Sequence, residues 1–210
     1  MWARILSLLI GTLFGNFLTA DVLVRLKTGQ SVFQIGSGNP GMANVTHELG
    51  VPAGAAVLTG DLLKTCLAGL LSFLLFRDAD RIILLYATLG TTIGHNWPIW
   101  HHFQGGKGVA VTCMGIHLYT PIPGLIADAT GMLVVFFTGY LPLGAVIISS
   151  LYTILAFAFE GLEAGILALI LDLIMTQRHW HGLTRVFSGE EKRHAQLFRK
   201  GRIQRSEKSS

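Results

Sequence analysis

Six apolar runs, at residues 5–20, 51–76, 82–100, 109–137, 142–159 and 164–176, carry almost no charge and fill most of a 210-residue chain. A helix needs about 20 apolar residues to cross the hydrocarbon core of a bilayer, and within that core its backbone polar groups must be bonded internally. The runs therefore commit the chain to an all-α, polytopic membrane fold. They leave no room for a separate soluble domain. Composition agrees, because charged residues make up 13% of the chain, about half of what a soluble domain carries.

The N-terminal stretch MWARILSLLIGTLFGNFL invites comparison with a signal peptide, but no small-x-small cleavage site follows it, so it reads as the first span. Cys66 and Cys113 lie alone in apolar runs and read as packed thiols. Nine of the 16 Lys and Arg fall after residue 177: Arg178, Arg185, Lys192, Arg193, Arg199, Lys200, Arg202, Arg205 and Lys208. The positive-inside rule puts that end in the cytoplasm. The run 109–137 is too long for one span and short for two, and PIPG interrupts it at 121–124. A single crossing there leaves the basic end outside. Two short helices hinged at Pro121 and Pro123 bring it back inside, which predicts about seven transmembrane helices within a membrane domain at 1–191. A basic cytoplasmic tail at 192–210 follows, read as a topology signal or a contact with anionic lipid. It lacks the interleaved aromatics of a nucleic-acid binder, so no nucleic-acid partner is expected.

The same parity places three polar, glycine-bearing stretches on the cytoplasmic face: GSGNPGMAN (36–44), GHNWPIWHHFQGGKG (94–108) and RHWHGLTRVFSGEE (178–191). In the first, Gly36 and Gly38 permit positive φ, and Ser37 and Asn39 add donors, as in an anion nest; a tight turn ahead of a helix is the simpler reading. In the second, Gly105, Gly106 and Gly108 surround Lys107, a compact cation suited to phosphate, or else an interfacial lysine that snorkels. The stretch is not a Walker A loop, which requires Gly at His101 and Ser or Thr at Gly108. His95 and His179 read either as a base or donor beside a phosphate, or as histidines satisfied by water or a carbonyl. No HExxH or acidic ligand set accompanies them, so no metal and no cofactor is expected. Asp61 and Lys64, three residues apart on one helix face inside the membrane, read as an ion pair or as the lining of a polar cavity. The GxxxG spacings at Gly11/Gly15, Gly90/Gly94 and Gly161/Gly165 read as helix contacts.

These stretches, in this order, resemble the bacterial acyl-phosphate-dependent glycerol-3-phosphate acyltransferases, the PlsY family. The family pattern has a GSGNxGATN loop, a DxxK pair, a GHxxPxFxxFxGGKGVAT segment and a final RHxxNIxRLxxGxE. The chain matches at Gly36 to Asn39, Gly41 and Asn44; at Asp61 and Lys64; at Gly94, His95, Pro98, Phe103 and Gly105 to Ala110; and at Arg178, His179, Arg185, Gly189 and Glu191. The resemblance spans roughly residues 10–192. It implies a seven-helix membrane enzyme that transfers a fatty acyl group from acyl phosphate to glycerol 3-phosphate, without an acyl-enzyme, releasing lysophosphatidic acid and phosphate. Ser37, Lys107 and the loop N–H groups then serve phosphate and oxyanion, and His179 supports them or moves a proton. Gly36, Gly38, Asn39, Asn44, His47, His95, Gly105, Gly106, Gly108, Arg178 and Arg185 are the expected substrate contacts. Acyl phosphate, glycerol 3-phosphate and membrane lipid are the expected partners.

The chain departs from the family pattern at several points. Phe33 and His47 stand where the pattern has arginine, Ala43 where it has threonine, and Gly182 where it has asparagine. Asn16 replaces a serine after Gly15, and Thr65 a glycine after the DxxK pair. The alternatives to an active transferase are a non-catalytic binding or regulatory paralogue, and a transporter of a small anion or lipid with Asp61 and Lys64 on its path.

Overall fold

The computed structural model describes residues 1–191, and the tail expected at 192–210 lies outside the described residues. Every regular element among the described residues is helical. They are α1 (Trp2–Gly15), α2 (Thr19–Thr28), α3 (Met42–Leu49), α4 (Val51–Leu75), α5 (Ile83–Asn96), α6 (Val109–Tyr119), α7 (Pro121–Thr138), α8 (Leu141–Phe159) and α9 (Leu162–Phe187), with 3-10 turns at Val32–Gln34 and Ile99–His101. Trp2–Thr28, Val51–Leu75, Pro121–Thr138 and Leu141–Phe159 are long and apolar enough to cross a bilayer by length and composition.

The interruption expected in the run 109–137 is present, with its details corrected. α6 stops at Thr120, which takes an extended conformation, and Pro121 opens α7 as its first residue, where a missing N–H removes no intrahelical bond. The hinge thus lies one residue ahead of the Pro121–Pro123 pair. Only α6, at 11 residues, is short, while the 18 residues of α7 reach crossing length.

Two of the three GxxxG spacings meet each other. α1 lies along α5, and a Cβ on Gly11 would run into the Ala87 carbonyl, as one on Gly90 would into the Leu8 carbonyl. Backbone therefore packs on backbone, as small residues allow within a membrane. The third spacing works differently: Gly165 makes room for the ring of Phe157.

The main core forms where α5 to α9 converge, on residues such as Leu85, Leu89, Ile116, Tyr152 and Leu171. A smaller core of Val24, Val32, Val45 and Val57 folds α2 and α3 against α4, so the polar connection at 25–50 is itself largely helical. Asp21 holds that cap together. Its carboxylate accepts from the Ser31 hydroxyl (2.7 Å), the Val32 N–H (2.9 Å) and Arg25 Nε (2.6 Å).

The two ends of the bundle differ. At one, Arg81 donates to the Tyr119 carbonyl (2.7 Å) and Arg4 pairs with Glu163 (2.6 Å). At the other, the 94–108 segment meets the end of α9.

Candidate active site

Lys64 is 4% exposed within α4. Its ammonium lies 2.9 Å from Asp61 Oδ1 and donates to the Phe17 carbonyl (2.9 Å) and to His95 Nδ1 (2.8 Å). Since an ammonium only donates, Nδ1 of His95 is the acceptor and the ring proton sits on Nε2. Of the two readings open for Asp61 and Lys64, the geometry is that of an ion pair. It ties the end of α1 to α4 and α5, and it orients His95. Gly106 lies against that imidazole, where a Cβ would collide with Nε2, and the Gly106 N–H donates to the His95 carbonyl (3.0 Å).

The opposite side of the same loop is held by α9. Arg178 donates through Nε to the Gly106 carbonyl (3.1 Å) and through Nη2 to the Gly105 carbonyl (2.9 Å), with its guanidinium over the Trp97 ring (5.6 Å). The loop ends at Gly108, whose φ of 79° turns the chain into α6. Both amide atoms of Asn96 are buried without a hydrogen-bond partner against that glycine.

Between these fixed points stands Lys107. Burial pushes its pKa below the ordinary lysine value; Glu191 opposes the shift, and Arg178 and Arg185 add to it. Glu191 in turn forms an ion pair with the exposed Arg185 (3.1 Å). Two of the three expected stretches therefore meet around one half-buried cation.

His179 is 4% exposed, and its Nδ1 lies 3.0 Å from the Met175 carbonyl. A carbonyl only accepts, so Nδ1 carries the proton and Nε2 keeps its lone pair. The carbonyl that satisfies one nitrogen leaves the other basic.

The first stretch is built as a braced turn. Gly36 (φ 54°) and Gly38 (φ 70°) take the left-handed conformation. Asn44 Oδ1 accepts from the Ser37 N–H (2.9 Å) and Asn44 Nδ2 donates to the Ile35 carbonyl (3.2 Å). Asn44 is thus a brace, and the Ser37 N–H is already occupied. The Ser37 hydroxyl is exposed and accepts from the Asn39 N–H (3.4 Å). His47 Nδ1 sits 2.7 Å from Glu48 Oε1. This region touches the second stretch through the Phe33 and His101 rings (5.6 Å), with His101 also 3.9 Å from Asp21.

Two further departures from the family pattern sit at packing contacts. Asn16 donates to the Thr12 carbonyl (2.6 Å) and accepts from the Ile99 N–H (2.6 Å), which ties α1 to the 3-10 turn beside the site. Gly182 backs onto α8, where a Cβ would stand 2.6 Å from Pro142 Cγ. Trp97, Asn96 and Met175 join the site without having been singled out in the sequence. The acceptors are mostly backbone carbonyls, which carry no residue signature.

A family model described as glycerol-3-phosphate acyltransferase matches residues 5–189. The chain belongs to that family. Glycerol-3-phosphate acyltransferase 1 of Lactobacillus acidophilus is 35% identical over 191 residues, covering 91% of this chain and 92% of the relative. The glycerol-3-phosphate acyltransferase of Alkaliphilus metalliredigens is 32% identical over 191 residues, 90% of this chain and 95% of its own. Among solved structures, the glycerol 3-phosphate form of PlsY, an integral membrane glycerol 3-phosphate acyltransferase, superposes with a TM-score of 0.78 at 25% identity, covering 91% of this chain and 94% of that one. Its lysophosphatidic acid form shares the fold, with a TM-score of 0.80. As a member of the glycerol-3-phosphate acyltransferase family with this helical fold, the chain is a multi-pass integral membrane protein.

Proposed function

We propose that this acyltransferase moves a fatty acyl group from acyl phosphate to the hydroxyl of glycerol 3-phosphate, forming lysophosphatidic acid for phospholipid synthesis. The observation that carries the reading is the seating of Lys107 between two clamps, His95 and Arg178, beside a buried histidine with a free nitrogen. The hydroxyl oxygen attacks the acyl carbonyl carbon, the bond from that carbon to the bridging oxygen breaks, and phosphate departs with that oxygen and the electron pair. His179 Nε2 takes the hydroxyl proton as the bond forms. Lys107 holds a substrate phosphate as a charge-assisted partner, and the loop N–H groups steady the carbonyl oxygen. Ser37, Asn39 and His47 serve the acceptor side through their exposed polar atoms. Arg178 and Asn44 act by positioning, since their hydrogen bonds go to the backbone.

The reading assigns seven crossings, to α1, α4, α5, α6, α7, α8 and α9. The site and the basic tail then share the cytoplasmic face, supported by the charge asymmetry of the sequence. Reporters fused after Gly108 and after Gly189 are expected on the cytoplasmic side and one after Asp78 on the other; a split between 108 and 189 would overturn the topology. For the reaction, purified protein is given long-chain acyl phosphate or acyl-CoA with glycerol 3-phosphate. Phosphate release from the first donor and no transfer from the second is the expected result. Folded protein inactive with acyl phosphate would sink the proposal in favour of a binding paralogue.

A further inference from the structure

The loop at 97–107 has a neck. Asn96 ends α5 and Gly108 opens α6, and the two stand against each other where the loop leaves and returns. A Cβ on Gly108 would lie 2.8 Å from Asn96 Oδ1 and 3.2 Å from its Nδ2. The Asn96 side chain is fully buried, and among the described residues neither of its amide atoms has a hydrogen-bond partner. Thr92, one turn back on α5, does not serve it: the Thr92 hydroxyl is bonded to that of Thr112 (3.0 Å), and its methyl faces Gly108. A buried amide unpaired in both donor and acceptor is costly, and leucine has nearly the same shape without that cost. Such a group beside an active-site loop is a candidate for use in the reaction.

The start of α6 is unpaired too. The N–H groups of Val109, Ala110 and Val111 precede the first helical bond, from the Thr112 N–H to the Gly108 carbonyl (2.9 Å), and no side chain caps them. An unpaired acceptor and a row of unpaired donors thus flank one glycine. Gly106 is pinned by the His95 carbonyl and by Arg178, whereas Gly108, at a φ of 79°, is the pivot between that fixed point and α6. At the middle of the loop His102 (φ 53°) and Phe103 (φ 60°) hold the left-handed conformation without being glycine, so this loop shape is itself strained.

We propose that Asn96 is a positioning residue for the acyl transfer, unpaired in this loop conformation and bonded to the neck of the loop in the reacting complex. As a substrate phosphate draws Lys107, Gly108 turns. Asn96 Oδ1 then accepts from a first-turn N–H of α6, and Nδ2 donates to a loop carbonyl that the turn brings over it. This role rests on the proposed acyl transfer, with Lys107 as the phosphate holder, and adds the group that locks the loop in its reacting shape. Asn96 touches neither substrate; it acts through Gly108 and α6.

The test uses the full chain in lipid bilayers. Asn96→Leu is expected to unfold at the wild-type temperature or above it, because an unpaired amide is lost. With palmitoyl phosphate and glycerol 3-phosphate its kcat/KM is expected to fall by about tenfold, because two neutral hydrogen bonds are lost from the reacting complex. Asn96→Ala, which removes the amide without adding bulk, gives the same rate loss where leucine does not fit beside Gly108. Unchanged turnover in either folded variant overturns the proposal and leaves the acyl transfer standing. A leucine variant that melts lower as it loses activity shows an amide already bonded in this conformation, as through an internal water, and overturns it too. A second readout does not need turnover. Hydrogen–deuterium exchange of a peptide spanning 107–112 is expected to slow when glycerol 3-phosphate is added to the wild type, and Asn96→Leu is expected to lose most of that slowing while still binding the ligand. Equal slowing in both proteins, or none in a wild type that binds, overturns the role of Asn96. Protection that depends on Asn96 supports that role even in protein that transfers no acyl group, where the acyl-transfer reading itself fails.

Discussion

Lys64 Nζ lies 2.8 Å from His95 Nδ1, and that contact makes His95 a donor through Nε2 toward the lysine loop. A charge pair buried in α4 thereby decides which proton a histidine at the end of α5 presents to the site. Breaking it has two separable effects. Lys64→Met leaves Asp61 buried and unpaired, and is expected to destabilise the protein by about 3–5 kcal/mol. The double variant Asp61→Leu/Lys64→Met recovers most of that stability in thermal unfolding, because an apolar pair of similar size replaces the ions. It does not recover activity, since His95 has lost the ammonium that held its tautomer.

Arg178 tests the other clamp. Arg178→Lys keeps the charge and loses both the two-carbonyl grip and the stack on Trp97. Losing one charge-assisted hydrogen bond costs about 1.5–3 kcal/mol, so kcat/KM should fall at least about tenfold while the melting temperature moves little. A rate within twofold of wild type would mean that the loop keeps its shape without the guanidinium.

Lys107 carries the pH dependence. Its pKa lies below the ordinary lysine value because of burial, so the ammonium is lost on a rise in pH that would leave an exposed lysine charged. Affinity for glycerol 3-phosphate therefore falls on the alkaline side, earlier than an ordinary lysine predicts. Lys107→Arg, which stays protonated, moves that limb to higher pH even if its rate is lower. Lys107→Ala removes the limb and costs about tenfold to a hundredfold in kcat/KM. An alkaline limb that survives in Lys107→Ala would belong to another group.

The departures from the family pattern give opposite expectations. His47→Arg extends a permanent charge from the half-buried end of α3, where Glu48 already pairs with the imidazole, and is expected to lower KM for glycerol 3-phosphate with little change in kcat. Gly182→Asn restores the family residue and is expected to be harmful, because its Cβ meets the rigid Pro142 ring. Its melting temperature should fall, and Pro142→Ala in the same chain should restore part of the loss.

The fold was legible wherever one residue type has one consequence. Apolar runs without charge gave helices of membrane length, Pro121 marked the interruption after α6, and paired glycines marked a close helix contact. The partner of each glycine pair was not readable, because Gly11 and Gly15 carry no chemistry that singles out Gly90 and Gly94. The cap at residues 19–50 was hidden for another reason: α2 and α3 are short and bury only one small face, so their apolar pattern is brief. In the site, the glycines around Lys107 and the histidine at His95 drew attention by residue type, whereas Arg178 entered only through the resemblance. What each one does depends on carbonyls at Phe17, Gly105, Gly106 and Met175, and every residue has a carbonyl.

The glycine contact between α1 and α5 has a further consequence. Gly15 is followed by Asn16, which grips Ile99, and Gly94 is followed by His95, which meets Gly106. The residues that hold one side of the lysine loop and the 3-10 turn ahead of it are thus measured off from a seam that admits no side chain. A single methyl group added to that seam acts at a distance as a misalignment of the chemistry, felt in turnover before any loss of lipid insertion. The seam works as a datum line for the enzyme, and the polar turns that it leaves free are where the chain can vary without shifting that alignment.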